Sequence, residues 1–283
     1  MVRRRQALWR QVAPRQRNWT WGAQDGRTVE VKDPGAALRE TLLLLFGPRQ
    51  RQMVIARLGL LIGRPGSGKS TIACLLALAA VDREESPQCA SDTLIYRTRT
   101  LEGLWDHVPV DSERLGVRVH HLVVLLEDAR RDMSARGHAG QVAHEMSVQT
   151  TEMRHHLEEL QADWPVGERW GCVTMLMDAQ NSTSIGPIYR DMAVTVVYTS
   201  LPVRGSASAR DLAAAAKGTT SHAWLSHVTA RALKQLEVGR ALVAAATHEL
   251  YWLDARPLYR AYGRVQRADD WCIDLRDGPG VPR

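Results

Sequence analysis

The chain lacks any long hydrophobic run. No apolar stretch among its 283 residues approaches the roughly 18 that a membrane-spanning helix needs. Its arginine-rich beginning also lacks the apolar segment of a secretory signal peptide. We therefore expect neither a transmembrane segment nor a signal peptide.

Patterns typical of metal sites and disulfide frameworks are missing as well. The four cysteines form no C-x-x-C pair, and the ten histidines form no H-E-x-x-H motif, because Val148 stands where His144-Glu145 would need a second histidine. Cysteines without such spacing are typical of reduced thiols in a cytosolic protein. We expect a cytosolic setting and no zinc site.

Acidic residues are absent from the beginning of the chain. Six arginines precede Asp25, the first acid, and the whole chain has a formal net charge of +6, so the remainder is formally neutral. The six are Arg3, Arg4, Arg5, Arg10, Arg15 and Arg17, and three tryptophans lie among or just after them. Such a segment can hold a phosphate backbone and stack on bases, which favours nucleic acid over a merely solvated tail.

The most specific motif present is a phosphate-binding loop. Gly63-Arg64-Pro65-Gly66-Ser67-Gly68-Lys69-Ser70, followed by Thr71, fits G-x-x-x-x-G-K-[ST] at every fixed position. The apolar run 58–62 before it predicts a buried strand, and the Ala- and Leu-rich run 71–81 predicts a helix. The loop amides and the helix N-terminus can surround an anion. We predict that residues 63–71 bind ATP, with Lys69 on the β- and γ-phosphates and Ser70 on Mg²⁺.

A second apolar run ends in two acids. Residues 122–126 are followed by Glu127 and Asp128, the Walker B pattern. One acid can hold the water shell of Mg²⁺, for which we propose Glu127, and its neighbour can orient or deprotonate the attacking water. The usual order is Asp then Glu, so the division of roles stays open. The alternative is a core strand that ends in solvated acids.

A third strand, predicted at 172–177, ends in Asp178-Ala179-Gln180-Asn181. An amide at this point can bind the γ-phosphate or the attacking water, and Gln180 is the best candidate. The alternative interpretation of these residues is a turn that closes the strand.

The remaining pattern predicts an α/β fold, a P-loop NTPase with a mostly parallel, RecA-like sheet flanked by helices and a C-terminal β-hairpin. A helix is predicted at 36–46, after a start signal in which Asp33 is the cap and Pro34 is at the first helical position. Further helices are predicted at 139–163, 209–217 and 221–236, and a short helical piece at 101–108 with a separate turn from Asp111. Further strands are predicted at 93–97 and 193–199, and the hairpin at 241–246 and 249–254. We divide the chain into a basic arm (1–27), an ATPase domain (28–255) and a tail (256–283).

Four segments in this order resemble the HerA–FtsK superfamily of P-loop ATPases. They are GRPGSGKST at 63–71, LVVLLED at 122–128, MLMDAQN at 175–181 and IGPIYRDMAVTVVY at 185–198. The resemblance implies a hexamer-type ring that hydrolyses ATP to move or package double-stranded DNA. It also implies that Gln180 contacts the γ-phosphate and that Arg190, or another arginine, completes the site of a neighbouring subunit.

The resemblance favours a viral or plasmid-borne motor, located in the host cytoplasm or on the virion if the source is viral. A capsid or membrane-associated protein would then be a further partner. The alternative is a nucleotide-gated DNA-binding or assembly ATPase that acts on a protein partner, of the initiator or filamentous-phage morphogenesis type. A P-loop kinase for a small molecule is a weaker alternative.

Overall fold

The computed structural model of the chain describes residues 32–47, 53–81, 92–127, 151–180, 189, 192–200, 236–237, 239–245, 249–262 and 272–275. Several sequence predictions lie outside these residues, among them the basic arm, Asp128, Arg190 and almost all of the two helices predicted after residue 208. Within the described part of the chain, no helix is long and apolar enough to cross a membrane.

The described residues form one sheet with helices on both faces. The strands are β1 (Val54–Ile62), β2 (Thr93–Thr98), β3 (His121–Leu126), β4 (Gly171–Ala179), β5 (Ala193–Tyr198), β6 (Arg240–Ala245), β7 (Leu250–Asp254) and β8 (Ile273–Asp274). The helices are α1 (Pro34–Phe46), α2 (Lys69–Val81), α3 (Leu104–Leu115), α4 (residues 151–160) and α5 (Arg256–Tyr262), with a 3-10 turn at Val166–Glu168.

The strand order is β7-β6-β5-β1-β4-β3-β2-β8. All neighbours from β5 to β8 are parallel, whereas β6 and β7 form an antiparallel hairpin at the other end. The predicted α/β class, the mostly parallel sheet and the hairpin are therefore confirmed. Because parallel strands end at the same edge, the carboxyl ends of β1, β3, β4 and β5 meet along one side of the sheet.

The sheet separates two hydrophobic cores. In β1, Leu60 and Ile62 belong to the core that also contains residues of α3 and α4, and Leu61 belongs to the core with α1, α2 and α5. A strand covered on both faces needs apolar residues at successive positions, which is why residues 58–62 of β1, 122–126 of β3 and 175–177 of β4 are continuous apolar runs rather than alternating ones. The Asp33 side chain accepts hydrogen bonds from Gly35 N at 3.0 Å and Ala36 N at 3.1 Å, so the predicted start of α1 is confirmed.

Helix α3 differs from the sequence prediction. It is one continuous helix through Pro109, and no separate turn begins at Asp111. Leu104 and Val108 are buried in the core, and the Asp111 carboxylate accepts a hydrogen bond of 2.9 Å from the Tyr96 hydroxyl of β2. These tertiary contacts offset the backbone hydrogen bond that proline cannot make, so the helix continues.

The chain beyond the hairpin packs back on the same sheet. Helix α5 contacts α2, and β8 pairs with β2 in parallel, with Tyr96 opposite Ile273. Residues at the end of the described chain therefore lie against both the phosphate-loop helix and the far edge of the sheet.

The first residue of β4 generates a stability prediction. Gly171 has φ +155°, and a Cβ there would lie 1.8 Å from the His120 carbonyl oxygen. Because backbone strain alone costs about 1–3 kcal/mol, we expect Gly171→Ala to lower the free energy of unfolding by at least about 2 kcal/mol, measured by urea denaturation. In the control Gly167→Ala, a Cβ would meet nothing within 4 Å, and we expect a change below about 0.5 kcal/mol. Equal effects would contradict the argument.

Candidate nucleotide-binding site

The glycine-rich loop leaves the end of β1 and enters α2 at Lys69. Gly66 and Gly68 have φ values of 75° and 81°, a region where a side chain is disfavoured. A Cβ on Gly63 would lie 2.1 Å from Thr199 Oγ1 and 2.5 Å from Ser67 Oγ, so a side chain there would force these hydroxyls to move. The predicted strand, loop and helix are confirmed. The first N–H groups of a helix have no partner within it and carry its positive dipole end, which suits a phosphate.

Two hydroxyl groups that follow β5 hold the loop. Ser67 Oγ lies 2.6 Å from Thr199 Oγ1, and Arg64 N donates to Ser200 Oγ at 2.7 Å. On the other side, Gly63 N donates to the Ala179 carbonyl of β4 at 3.2 Å. The loop is thus tied to both strands that flank β1. Thr199 and Ser200 were missed by sequence reasoning, because only the pairing of β5 with β1 brings them to the loop.

Lys69 is buried beside a carboxylate from β4. Its side chain is 8% exposed, its Nζ donates to the Arg64 carbonyl at 3.2 Å, and it lies 3.5 Å from Asp178 Oδ1. Ser70 Oγ donates to Asp178 Oδ2 at 2.6 Å. Burial raises the pKa of the Asp178 carboxyl; the Ser70 hydrogen bond and Lys69 oppose this increase, and the Glu127 carboxylate adds to it. The sequence alone identifies Asp178 only as part of the end of a strand.

Glu127 reaches the same edge of the sheet from the end of β3, but with a different partner. The Arg97 guanidinium on the neighbouring strand β2 donates through Nε to Glu127 Oε1 at 2.8 Å. Both side chains are mostly buried, at 19% and 14% exposure. Arg97 was also missed, since nothing in the local sequence links it to a position 30 residues later.

The other predicted residues are placed only in part. Gln180 directly follows β4, next to the carbonyl of Ala179 that holds Gly63, so its backbone lies beside the phosphate loop. Asp128 and Arg190 are outside the described residues.

Helix α5 adds an aromatic side chain that sequence reasoning did not find. The Tyr259 hydroxyl lies 3.5 Å from the position that a Cβ on Gly68 would take, so it borders the loop. Burial raises the pKa of this phenol. The residue lies beyond the hairpin, where no motif pointed to the site.

The donor set fits a nucleoside triphosphate and its metal ion. The glycine backbone, the helix N-terminus and Lys69 are suited to phosphate oxygens. The Ser70 hydroxyl and the carboxylates of Asp178 and Glu127 are hard oxygen donors, which Mg²⁺ prefers. Strand β4 lies between β1, which leads into the loop, and β3, which ends before Glu127. These donors and this strand order are the arrangement of a P-loop NTPase fold.

Comparisons with known proteins gave structural matches alone. No protein-family model and no curated protein matches the sequence. Similar solved structures include the genome-packaging NTPase B204 of Sulfolobus turreted icosahedral virus 2 in complex with ATP-gammaS, at 12% identity and TM-score 0.43, covering 72% of this chain and 98% of that one. The N-terminal domain of zonular occludens toxin from Neisseria meningitidis is 15% identical, with TM-score 0.31, covering 51% of this chain and 76% of that one.

The contacts of Thr199 lead to a binding prediction. Thr199→Val removes the hydroxyl that holds Ser67 and leaves the shape of the side chain almost unchanged. A hydrogen bond of this kind contributes about 1 kcal/mol, so we expect the Kd for a fluorescent ATP analogue to rise about fivefold.

Thr195→Val on the same strand is the matched control. Its hydroxyl donates to the Ala244 carbonyl at 3.1 Å, away from the loop. This variant is expected to lose stability without a change in Kd. The proposed support of the loop is wrong if both variants bind the analogue as the wild type does.

Proposed function

We propose that the chain is an ATP-hydrolysing motor that moves or packages double-stranded DNA. The observation that carries the proposal is the glycine-rich loop between β1 and α2, with Lys69 and Ser70 beside the buried carboxylate of Asp178 at the carboxyl edge of a parallel sheet. This edge is where ligands bind in open α/β sheets. The residue types found there are those that phosphoryl transfer requires.

In the proposed reaction, the backbone of residues 63–71 binds the phosphates. Lys69 exchanges the Arg64 carbonyl and the Asp178 carboxylate for phosphate oxygens. Ser70 would hold Mg²⁺, which would supply positive charge to offset that of the phosphates. Glu127 and Asp128 orient the attacking water and accept its proton.

Two further residues complete the proposed chemistry. Gln180 contacts the γ-phosphate or the attacking water, since it follows β4 directly beside the loop. Arg190, or another arginine, contributes to the site of a neighbouring subunit and stabilises the charge that develops on the transferred phosphoryl group. This last role requires a homo-oligomer, for which a hexamer-type ring is the natural arrangement.

The proposed DNA partner depends on the basic arm. Its six arginines account for the whole positive excess of the chain, and Trp9, Trp19 and Trp21 lie among or beside them. Cationic side chains bind the phosphate backbone without regard to sequence, as a translocating motor requires. A capsid or membrane-associated protein is proposed as the further partner at which the ring docks.

DNA-stimulated hydrolysis tests the motor. We expect the oligomeric wild-type protein to hydrolyse ATP faster with double-stranded DNA, and Lys69→Ala to reduce the rate by at least about 100-fold, because the phosphates lose their only buried cation among the described loop residues. Phosphate release and size-exclusion chromatography measure the two properties. Lys32→Ala is the control, because Lys32 pairs with Glu40 and Glu249 at the hairpin.

The outcomes separate the two functions. A monomer with the same hydrolysis rate with and without DNA contradicts the motor and leaves the assembly ATPase that acts on a protein partner. No nucleotide hydrolysis in any condition contradicts both.

The arm has its own test. Replacing its six arginines by glutamine is expected to weaken DNA binding, and to reduce the slope of log K against log salt by about 0.9 for each phosphate contact that is lost. Fluorescence anisotropy at several salt concentrations measures the slope. Replacement by lysine keeps the charge and is expected to preserve it. An unchanged slope in the glutamine variant contradicts the proposed role of the arm.

A further inference from the structure

Asp178 is held in a fixed position beside the loop. Asp178 lies in β4, opposite Leu61 of β1. Leu61 is two residues before Gly63, the glycine that begins the loop. Its side chain is 11% exposed, with Oδ2 accepting from Ser70 Oγ at 2.6 Å and Oδ1 lying 3.5 Å from Lys69 Nζ. Both oxygens therefore face the two side chains that are expected to bind phosphate and metal.

Glu127 has a different environment. It follows β3, which is separated from β1 by β4, and it forms an ion pair with Arg97. A carboxylate whose Oε1 already accepts from a guanidinium is a weaker partner for a cation, because the charge is largely compensated. Asp178, by contrast, is in direct contact with Ser70.

We infer that Asp178 is the carboxylate that positions Mg²⁺ beside Ser70, a role that the sequence pattern assigns to an acid after β3. The inference rests on the proposed nucleotide site and adds a residue to it. A serine hydroxyl has one proton and two lone pairs. Ser70 can therefore give a lone pair to the metal while it still donates its proton to Asp178, so the observed hydrogen bond persists when the site is filled. Asp178 then acts as an outer-shell ligand that orients Ser70 and accepts from a metal-bound water.

The contact between Asp178 and Lys69, in contrast, is expected to break when the site is filled. When a triphosphate binds, Lys69 turns from Asp178 to the phosphate oxygens. Asp178 is then a buried negative charge close to other negative charges, which is unfavourable until a cation joins them. Asp178 thereby couples the binding of the nucleotide to the binding of Mg²⁺.

The coupling gives a distinctive test. The Kd of a fluorescent, non-hydrolysable ATP analogue is measured with saturating Mg²⁺ and with EDTA. In Asp178→Asn, we expect binding in EDTA to be as tight as in the wild type or tighter, and the gain from Mg²⁺ to fall by about 10- to 100-fold. A residue that only supports the loop would instead weaken binding in both conditions.

Two further variants complete the design. Asp111→Asn, the same change at a buried acid bonded to Tyr96 in the other core, is expected to alter neither affinity. Glu127→Gln is expected to lose less of the gain in affinity from Mg²⁺ than Asp178→Asn does, because Glu127 is paired with Arg97. Folding is checked by circular dichroism, and Asp178→Ser replaces Asp178→Asn if the latter does not fold.

Three results would overturn the inference: a wild-type gain from Mg²⁺ in the Asp178 variant, weaker binding by that variant in both conditions, or a larger loss of the gain in Glu127→Gln than in Asp178→Asn. Each of these leaves the nucleotide-binding function intact. Failure of the wild-type protein to bind the analogue would instead refute the proposed function itself.

Discussion

The site depends on the parallel pairing of β1 with β4 and β5. This arrangement places the end of β1 between two strand ends, and each supplies contacts to the loop that follows. Ala179 of β4 accepts from Gly63, and Thr199 after β5 contacts Ser67. A Gly-rich segment has many accessible conformations when unfolded, so its shape requires contacts of this kind.

The same pairing explains how a buried ammonium is tolerated. Lys69 would be costly in an apolar interior, but Asp178 and a loop carbonyl lie within its reach. The interaction is one that can be exchanged, because phosphate oxygens offer the same ammonium a stronger set of acceptors. Under the proposed function, the buried ion pair prepares Lys69 for its ligand as well as contributing to stability.

Sequence reasoning succeeded where information is local. Asp33 followed by Pro34 marked the start of α1, and the apolar runs marked the central strands, since burial on both faces demands them. It failed at α3, where Pro109 and Asp111 suggested a break. There the burial of one helix face and the Tyr96 hydrogen bond decided the conformation, and neither is visible in a local window.

The amino-acid sequence by itself determined that a glycine-rich loop at Gly63–Thr71 connects a buried strand to a helix, because the three segments are consecutive and their residue types suffice. It also predicted Glu127 as a site acid, but it identified Asp178 only as part of the end of a strand. Only the tertiary structure decided which acid meets Ser70. Register places Asp178 beside β1, whereas Arg97, from a strand distant in sequence, pairs with Glu127. Such partners depend on strand order, which no short motif encodes.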